Sequence, residues 1–371
     1  MNMPYKILYI DDEDNLRSQA YADGLSGLGL VEITIEKPTS FEMLINELVE
    51  KQVSIDALIL DLKLDGNQLG DRVATYTAPS LAAGIRSKCF HDYGFKIEFP
   101  IFLLSSSENL KKYFDPDSSS HDLFDFTINK TSIGTLGGKH EKKIASIIDA
   151  YKTISVDKTD FAKILGIPSI DLVDERIFTS RFLYGEGTSV SEISQYIFQE
   201  ILLKSGILIN QDILAARLGI NHKESEDWQT ILKQLDKTLY SGVFSDSFKR
   251  WWSVDIMKWW NVNFSNIPLI RLDSSERVTL IKEKFNLKYL VEATKIDKAT
   301  STKFWTVCQA YKLPLDPKDG FLIDGNQIYP WQDKRYLSLE SLLEREAISK
   351  GFRIHPVEKE RFEELKTMYL S

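Results

Sequence analysis

The chain has 371 residues, 43% of them hydrophobic and 27% charged, with a formal net charge of −8. That composition excludes a disordered or fibrous chain, and the length suits two or three domains that each bury a core. The excess of acid lies entirely in residues 1–150, which hold 15 Lys+Arg against 23 Asp+Glu, while all seven tryptophans lie beyond residue 227. Two compositions imply two modules. An acidic first module argues against nucleic acid as its partner, because duplex binding is led by Lys and Arg.

In chain order, Lys6–Ile10 reads as a nearly continuous apolar strand followed by a helix from about Asp14 to Leu25. Val31–Ile35 alternates as a strand does. Thr39 or Ser40 then caps a helix whose apolar positions Phe41, Leu44, Ile45, Leu48 and Val49 recur at spacings of 3 and 4. Ile55–Leu62, Pro100–Leu104 and Leu123–Ile128 read as three further strands, and His140–Tyr151 as a closing helix. Unbroken apolar strands alternating with helices predict a doubly wound α/β domain with a five-stranded parallel sheet covered on both faces. Ligands of such domains sit at the carboxyl ends of the strands.

At those ends the sequence places Asp11 and Asp12, then Asp61, Ser105 and Lys130. Three carboxylates against one ammonium leave about two charges uncompensated, and like charges held close repel strongly. A divalent cation relieves that repulsion, and hard oxygen ligands suit Mg²⁺. Mg²⁺, a lysine and a hydroxyl are also the groups that steady a phosphoryl group in transfer, with the remaining carboxylate as nucleophile. The residues thus read as a Mg²⁺-dependent aspartyl-phosphate site.

The segments ILYIDDED, DALILDLKLDG, FPIFLLSSS and FDFTINK resemble the signature segments of response-regulator receiver domains. The resemblance spans about residues 1–152 and implies a flavodoxin-like receiver fold. It implies that Asp61 is the phosphoacceptor and that Asp11, Asp12, Asp61 and the backbone carbonyl of Lys63 hold Mg²⁺. Ser105 and Lys130 would bind the phosphoryl group and carry the switch. The resemblance also implies a phosphorelay with a histidine kinase or, for long-insert receivers of prokaryotic conflict loci, a GHKL-type ATPase or kinase. A homodimer through the receiver is a further partnering it allows. Three positions depart from the pattern. Thr131 stands where the family has proline, and Thr127 occupies the switch-aromatic position, with Phe126 the nearest aromatic. Ser105 follows Asp61 by 44 positions, the surplus falling around Thr75–Phe95 and lengthening the third helix or its following loop. Glu13 and Asp14 read simply as acids that open a helix.

Residues 153–160 read as a polar linker, 161–270 as a helical domain and 271–371 as a small α+β domain. Residues 161–177 and 213–232 look like helix-turn-helix units, yet their second helices, Ser169–Arg176 and Asn221–Lys233, would be rich in acid and face DNA badly. Phe248, Trp251, Trp252, Ile256, Trp259 and Trp260 read as one helix with a wide buried stripe. Asp273 and Glu276 form a capping-box pair, Lys288–Thr294 a strand, and Leu337–Lys350 a final helix. GTLGGK (134–139) fails the spacing of a P-loop, and Glu292 with Lys295 is a thin basis for a nuclease. No catalytic motif emerges in this part.

The expectation is a signalling protein whose receiver passes its state to a protein-interaction module. The alternatives are a nuclease-like effector under receiver control and a DNA-binding transcription regulator. Cys89 and Cys308 suit a reducing compartment, five scattered histidines form no zinc-type cluster, and MNMPYKILYIDDED lacks signal-peptide features. With no apolar run near the roughly 18–20 residues of a membrane span, a cytoplasmic location without a membrane partner is expected.

Overall fold

Five short strands with few polar side chains organise the first part of the molecule. β1 (Tyr5–Ile10), β2 (Val31–Glu36), β3 (Ala57–Asp61), β4 (Ile101–Ser105) and β5 (Phe126–Asn129) pair in parallel in the order β2-β1-β3-β4-β5. Every residue of β3 and β4 is buried, as strands covered on both faces require. The computed structural model describes residues 3–65, 76–89, 94–115, 118–179, 188–265, 267–325 and 328–370. Among these, no helix is long and apolar enough to cross a membrane.

The connecting helices are α1 (Asn15–Leu25), α2 (Phe41–Lys51), α3 (Ala78–Lys88), α4 (Ser107–Asn109, running into a π-turn at Leu110–Phe114) and α5 (Ile133–Val156). Asp14 caps α1 by accepting from the Leu16 N–H, whereas Ser40 precedes α2 without a side-chain cap bond. The expected strand bounds shift by one to three residues. The larger difference is α5, which has 24 residues instead of the expected twelve or so and continues through 153–156 of the expected linker. α3 has 11 residues, like α1 and α2, so the surplus does not lengthen this helix. Of that surplus, Thr75 and residues 90–93 lie outside the described residues.

Two buried carboxylates fasten the sheet to its helices. Glu141 of α5 accepts from the N–H groups of Leu28 (2.6 Å) and Leu30 (2.7 Å), which sets the start of β2. At the amino ends of β4 and β5, Asp125 accepts from Arg86 of α3 (2.8 Å), Tyr151 of α5 (2.7 Å) and the Ile101 N–H (2.8 Å). A buried charge with both oxygens hydrogen-bonded holds geometry, since losing a partner would leave buried charge uncompensated. The opposite, carboxyl ends of the strands are left for the site.

The chain divides into two compact units, residues 1–198 with 241–248, and 199–240 with 249–371. The first unit therefore extends past the expected receiver boundary. It adds α6 (Phe161–Leu165), α7 (Arg176–Thr179) and α8 (Val190–Tyr196), the last opened by a capping box of Ser189 and Glu192. Glu98 accepts from the Val190 and Ser191 N–H groups, tying α8 to the body of this unit. Ser169–Arg176 holds a 3₁₀ turn (Ile170–Leu172) and only the first residue of α7, so the first helix-turn-helix unit does not form. Gly185-Glu186-Gly187, which reads in the sequence as a turn, lies outside the described residues.

The second unit holds β6 (Leu208–Ile209), α9 (Gln211–Leu218), α10 (Trp228–Gln234), β7 (Trp251–Trp252), α11 (Ser253–Asn263) and α12 (Ser274–Phe285). After these come β8 (Thr306–Val307), β9 (Pro314–Leu315), β10 (Gly320–Leu322), β11 (Tyr336–Ser338), α13 (Leu339–Leu343), α14 (Glu346–Ser349) and α15 (Lys359–Leu370). The Asp273–Glu276 capping box forms as expected. The tryptophan run does not make one helix. Trp251 and Trp252 pair with Ile209 and Leu208 as β7, and only Trp259 and Trp260 lie on α11. Trp228, Trp251, Trp260 and Phe264 share one core with Val278 and Ile281, so that core runs across position 270. The stretch 288–294 is no strand. It makes a single bridge, Ile220 to Glu292, and its Lys288 and Tyr289 N–H groups are taken by the Asp227 carboxylate. Asn221–Lys233 becomes helical only from Trp228. The expected final helix is a strand and two short helices, and α15 follows it.

Gly137 carries a prediction. A Cβ there would sit 2.1 Å from the Gly24 carbonyl oxygen, where α5 meets α1, and backbone cannot yield as a side chain can. Alanine gains about 1 kcal/mol of helix propensity over glycine, but overpacking a closed contact costs about 1–3 kcal/mol. Gly137→Ala should therefore destabilise the protein in urea unfolding. Gly134, with open space around its missing Cβ, should give an alanine variant as stable as wild type or slightly more so. A stabilising Gly137→Ala would refute the close crossing.

Candidate functional site

Parallel strands of similar length end on one rim, and the residues expected there arrive together. Asp11 and Asp12 follow β1 directly, Asp61 ends β3, Ser105 ends β4, and Lys130 opens the 3₁₀ turn (Lys130–Ser132) between β5 and α5. All five are buried. Asp11, Asp12 and Asp61 each offer an oxygen within 4.8 Å of the others.

The Lys130 ammonium is the hub. It lies 2.8 Å from Asp61 Oδ1, 3.3 Å from Glu13 Oε1 and 4.0 Å from Asp11 Oδ2, with its charge also over the Tyr21 ring. Burial disfavours that ammonium, but Asp61, Asp11 and Glu13 outweigh it and hold its pKa above the ordinary value. Burial pushes the Asp61 carboxyl up to about 6 against the pull of Lys130, and Asp11 and Glu13 add to the push. One cation among several carboxylates leaves the cluster undercompensated.

Asp11 is oriented from below. Its Oδ2 accepts from Tyr9 (2.5 Å) and Ser18 (2.7 Å), and its Oδ1 from the Glu13 N–H (3.0 Å). Tyr9, buried and beside Asp11, has its phenol pKa driven far up and stays a donor. Ser105 Oγ is buried and has no hydrogen-bond partner among the described residues, an orphan that a bound polar group would satisfy. The three carboxylates fit a small hard cation. Oxygens around Mg²⁺ at about 2.1 Å lie roughly 3.0 Å apart as neighbours and 4.2 Å across, so the observed spread closes with small shifts.

Lys63 lies two residues past Asp61, bridged to Thr77 next to the bond from the Ala78 N–H to the Leu62 carbonyl, and its ammonium sits 4.6 Å from the centre of the Tyr113 ring. Thr131 finds its own anchoring without proline. Its N–H (3.0 Å) and hydroxyl (2.9 Å) both donate to Asn129 Oδ1, while Asn129 Nδ2 reaches Ser107 Oγ (2.6 Å) and so links the ends of β4 and β5. Phe126 is half-buried, its ring 6.2 Å from that of His140 and 4.8 Å from the Lys143 ammonium. It stands apart from the acidic cluster.

Sequence reasoning missed four members of this arrangement: Tyr9, Ser18, Asn129 and Glu13. Glu13 was expected only to open a helix, yet it pairs with Lys130, and α1 begins later behind Asp14. Its place directly after the acidic pair was the available signal. Nothing local marks Tyr9 or Ser18, because both reach Asp11 only through the fold.

No protein-family model and no curated protein matches the chain. Among solved structures it is similar to a CheY-like receiver domain from Methylobacillus flagellatus, at 16% identity over 36% of this chain and 92% of that one, with a TM-score of 0.26. A receiver domain from Clostridium thermocellum matches at 17% identity over 42% and 97%, TM-score 0.26. The Salmonella typhimurium response regulator RcsB matches at 14% identity over 76% and 94%, TM-score 0.25. The strand order 2-1-3-4-5 is the flavodoxin-like order. The N-terminal region thus has the fold of response-regulator receiver domains.

Proposed function

We propose that the protein is a response-regulator-like signalling protein that accepts a phosphoryl group on Asp61 with Mg²⁺. The observation that carries this reading is the meeting of three carboxylates, a buried ammonium and an orphaned hydroxyl on one rim. Asp11, Asp12, Asp61 and the Lys63 carbonyl would hold Mg²⁺, which supplies charge neutralisation at the phosphoryl oxygens. An Asp61 oxygen bonds to phosphorus as the bond to the donor's leaving group breaks. Lys130 and Ser105 then bind the transferred group, the lysine giving up its contact with the Asp61 oxygen that reacts. The donor would be a histidine kinase or a GHKL-type ATPase or kinase in the cytoplasm. The C-terminal part would pass the state to a protein partner, with a homodimer through the receiver as a further association. Phe126, beside Lys143, is our choice for the switch aromatic.

Acetyl phosphate with Mg²⁺ should add one hydroxylamine-labile phosphoryl group to the wild type and none to Asp61→Asn. Lys130→Ala should still accept the group but fail to signal. Label that persists in Asp61→Asn would sink the assignment.

A second prediction concerns pH. Asp61 has a folded pKa of about 6 against an ordinary value of 3.8. A carboxyl that holds its proton more tightly when folded costs stability as it ionises. That cost is absent below the ordinary value and complete above the folded one. In EDTA, Asp61→Asn should therefore raise the melting temperature more at pH 7.5 than at pH 4. Glu13→Gln should move the midpoint of this effect to lower pH, having removed one charge that pushes Asp61 up. Equal gains at both pH values would contradict the strained carboxylate. Added Mg²⁺ should raise the wild-type melting temperature at pH 7.5, and much less in the Asp11→Ala, Asp12→Ala double variant.

A further inference from the structure

Charge is unevenly paired in the second unit. Two adjoining cavities there share Asp212, Val307 and Lys312. The smaller, about 50 Å³, is also lined by His222 and Lys223 over an apolar floor that includes Ala215 and Ile220. The larger, about 160 Å³, adds Lys334 and Arg335. Its other basic and acidic groups are already matched, Lys204 with Glu200 and Asp333 with the buried Arg217 at 2.7 Å. Asp212 lies 3.3 Å from His222 Nε2. Among the described residues, no carboxylate lies within the 4.0 Å of an ion pair from Lys223, Lys312, Lys334 or Arg335. Four exposed basic residues without an ion-pair carboxylate thus line the two cavities, together with Asp212.

Lys312 stands between the two cavities on a left-handed backbone, φ 57°. That region disfavours side chains other than glycine, asparagine and aspartate, and strain of this kind gathers at functional sites. Its N–H donates to the Cys308 carbonyl (2.8 Å) and its ammonium to Gln309 Oε1 (3.0 Å), so the bend and the charge are both held.

We propose that the joined cavities bind a small phosphorylated molecule. Lys312, Lys334 and Arg335 hold its phosphoryl oxygens, and the floor under His222 takes its uncharged body. A guanidinium offers a planar fork to two phosphoryl oxygens and lysines add point charges, which suits an anion of two or more charges. The space accepts roughly seven water-sized groups, a size that favours a small metabolite over a polymer. The site is independent of Asp61.

The test uses the full chain carrying Asp61→Asn in EDTA, so that phosphoryl chemistry at the first unit is silent. Pyrophosphate, AMP and ribose 5-phosphate are titrated by calorimetry at constant ionic strength. At least one should bind, and both Lys312→Asn and Arg335→Gln should weaken it about tenfold or more, roughly 1.4 kcal/mol each, without lowering the melting temperature. Asparagine tolerates the left-handed backbone, and Arg335 is exposed, so at least one variant will fold. Tighter binding of AMP than of ribose 5-phosphate would assign a nucleotide; equal binding would assign the phosphoryl group alone. The proposal is overturned if none of the three produces heat, or if both variants bind as tightly as the parent Asp61→Asn chain. It is equally overturned if a short single-stranded RNA binds through these residues while the small phosphates do not.

Discussion

The arrangement at the strand ends depends on a single ammonium. Lys130 sits within ion-pair reach of Asp61, Glu13 and Asp11, and Asp12 stands in the same cluster. Remove that charge and four buried or half-buried acids would face one another with only hydrogen bonds to offset their repulsion. The fold is arranged to keep it in place. β5 delivers Lys130 to the rim, the Asn129 side chain fixes the turn that follows, and α5 leaves from that turn to be clamped by Glu141 and Tyr151 at its middle and far end. Asp11 is fixed from the other side by Tyr9 and Ser18, so its charge cannot rotate away from the cluster.

Much of this was legible in the sequence because parallel sheets write themselves plainly. A strand buried on both faces is an unbroken apolar run, and the first polar residue after it marks the rim. That rule alone places Asp11, Asp61 and Ser105, and at β5 it points to Asn129, one residue short of Lys130. It does not reach Glu13, because an acid at a helix start has an ordinary explanation that needs no site. Nor does it reach Tyr9 and Ser18, whose roles arise from side chains crossing between elements. Gly134, Gly137 and Gly138 have low helix propensity and mask the first turns of α5 in the sequence. Gly137 is there for a close crossing, with the Gly24 carbonyl filling the space a side chain would need.

The second unit was harder to read for a physical reason. Its strands are two or three residues long, and its helices are mostly short, so periodicity has little length over which to show. The tryptophans that suggested one helix are shared between β7 and α11 because Trp251 finds Ile209 across a strand pair before helical spacing can take over. Lys288–Thr294 has the composition of a strand, but Asp227 and Ser225 take its N–H groups in place of a neighbouring strand. Arg277 is fully buried and donates to the carbonyls of Arg217 (3.0 Å) and Phe304 (2.7 Å), binding α12 to the end of α9. Backbone carbonyls at a helix C-terminus favour a cation, and no apolar pattern would forecast that use of an arginine.

Counting charges at the rim shows why a metal and a phosphoryl group would belong together on the proposed reading. Asp11, Asp12, Asp61 and Glu13 against Lys130 leave the site about three charges negative. Esterifying Asp61 replaces one negative charge with about two, since a phosphoryl group carries about −1.5 to −2 near neutral pH. Without a dication that step deepens an imbalance the fold already carries, in which Asp11 and Glu13 add to the larger upward push of burial on the Asp61 carboxyl. With one, the site becomes less negative after transfer than the bare cluster is now. Lys130 then meets a choice, because the ammonium that pairs with Asp61 and Glu13 is the same one that must hold the phosphoryl oxygens. Its release from Glu13 would free an acid in the turn before α1 and alter the contacts beneath Tyr21. The first structural consequence of phosphorylation would therefore fall on the β1–α1 edge, before any movement of Phe126 on β5.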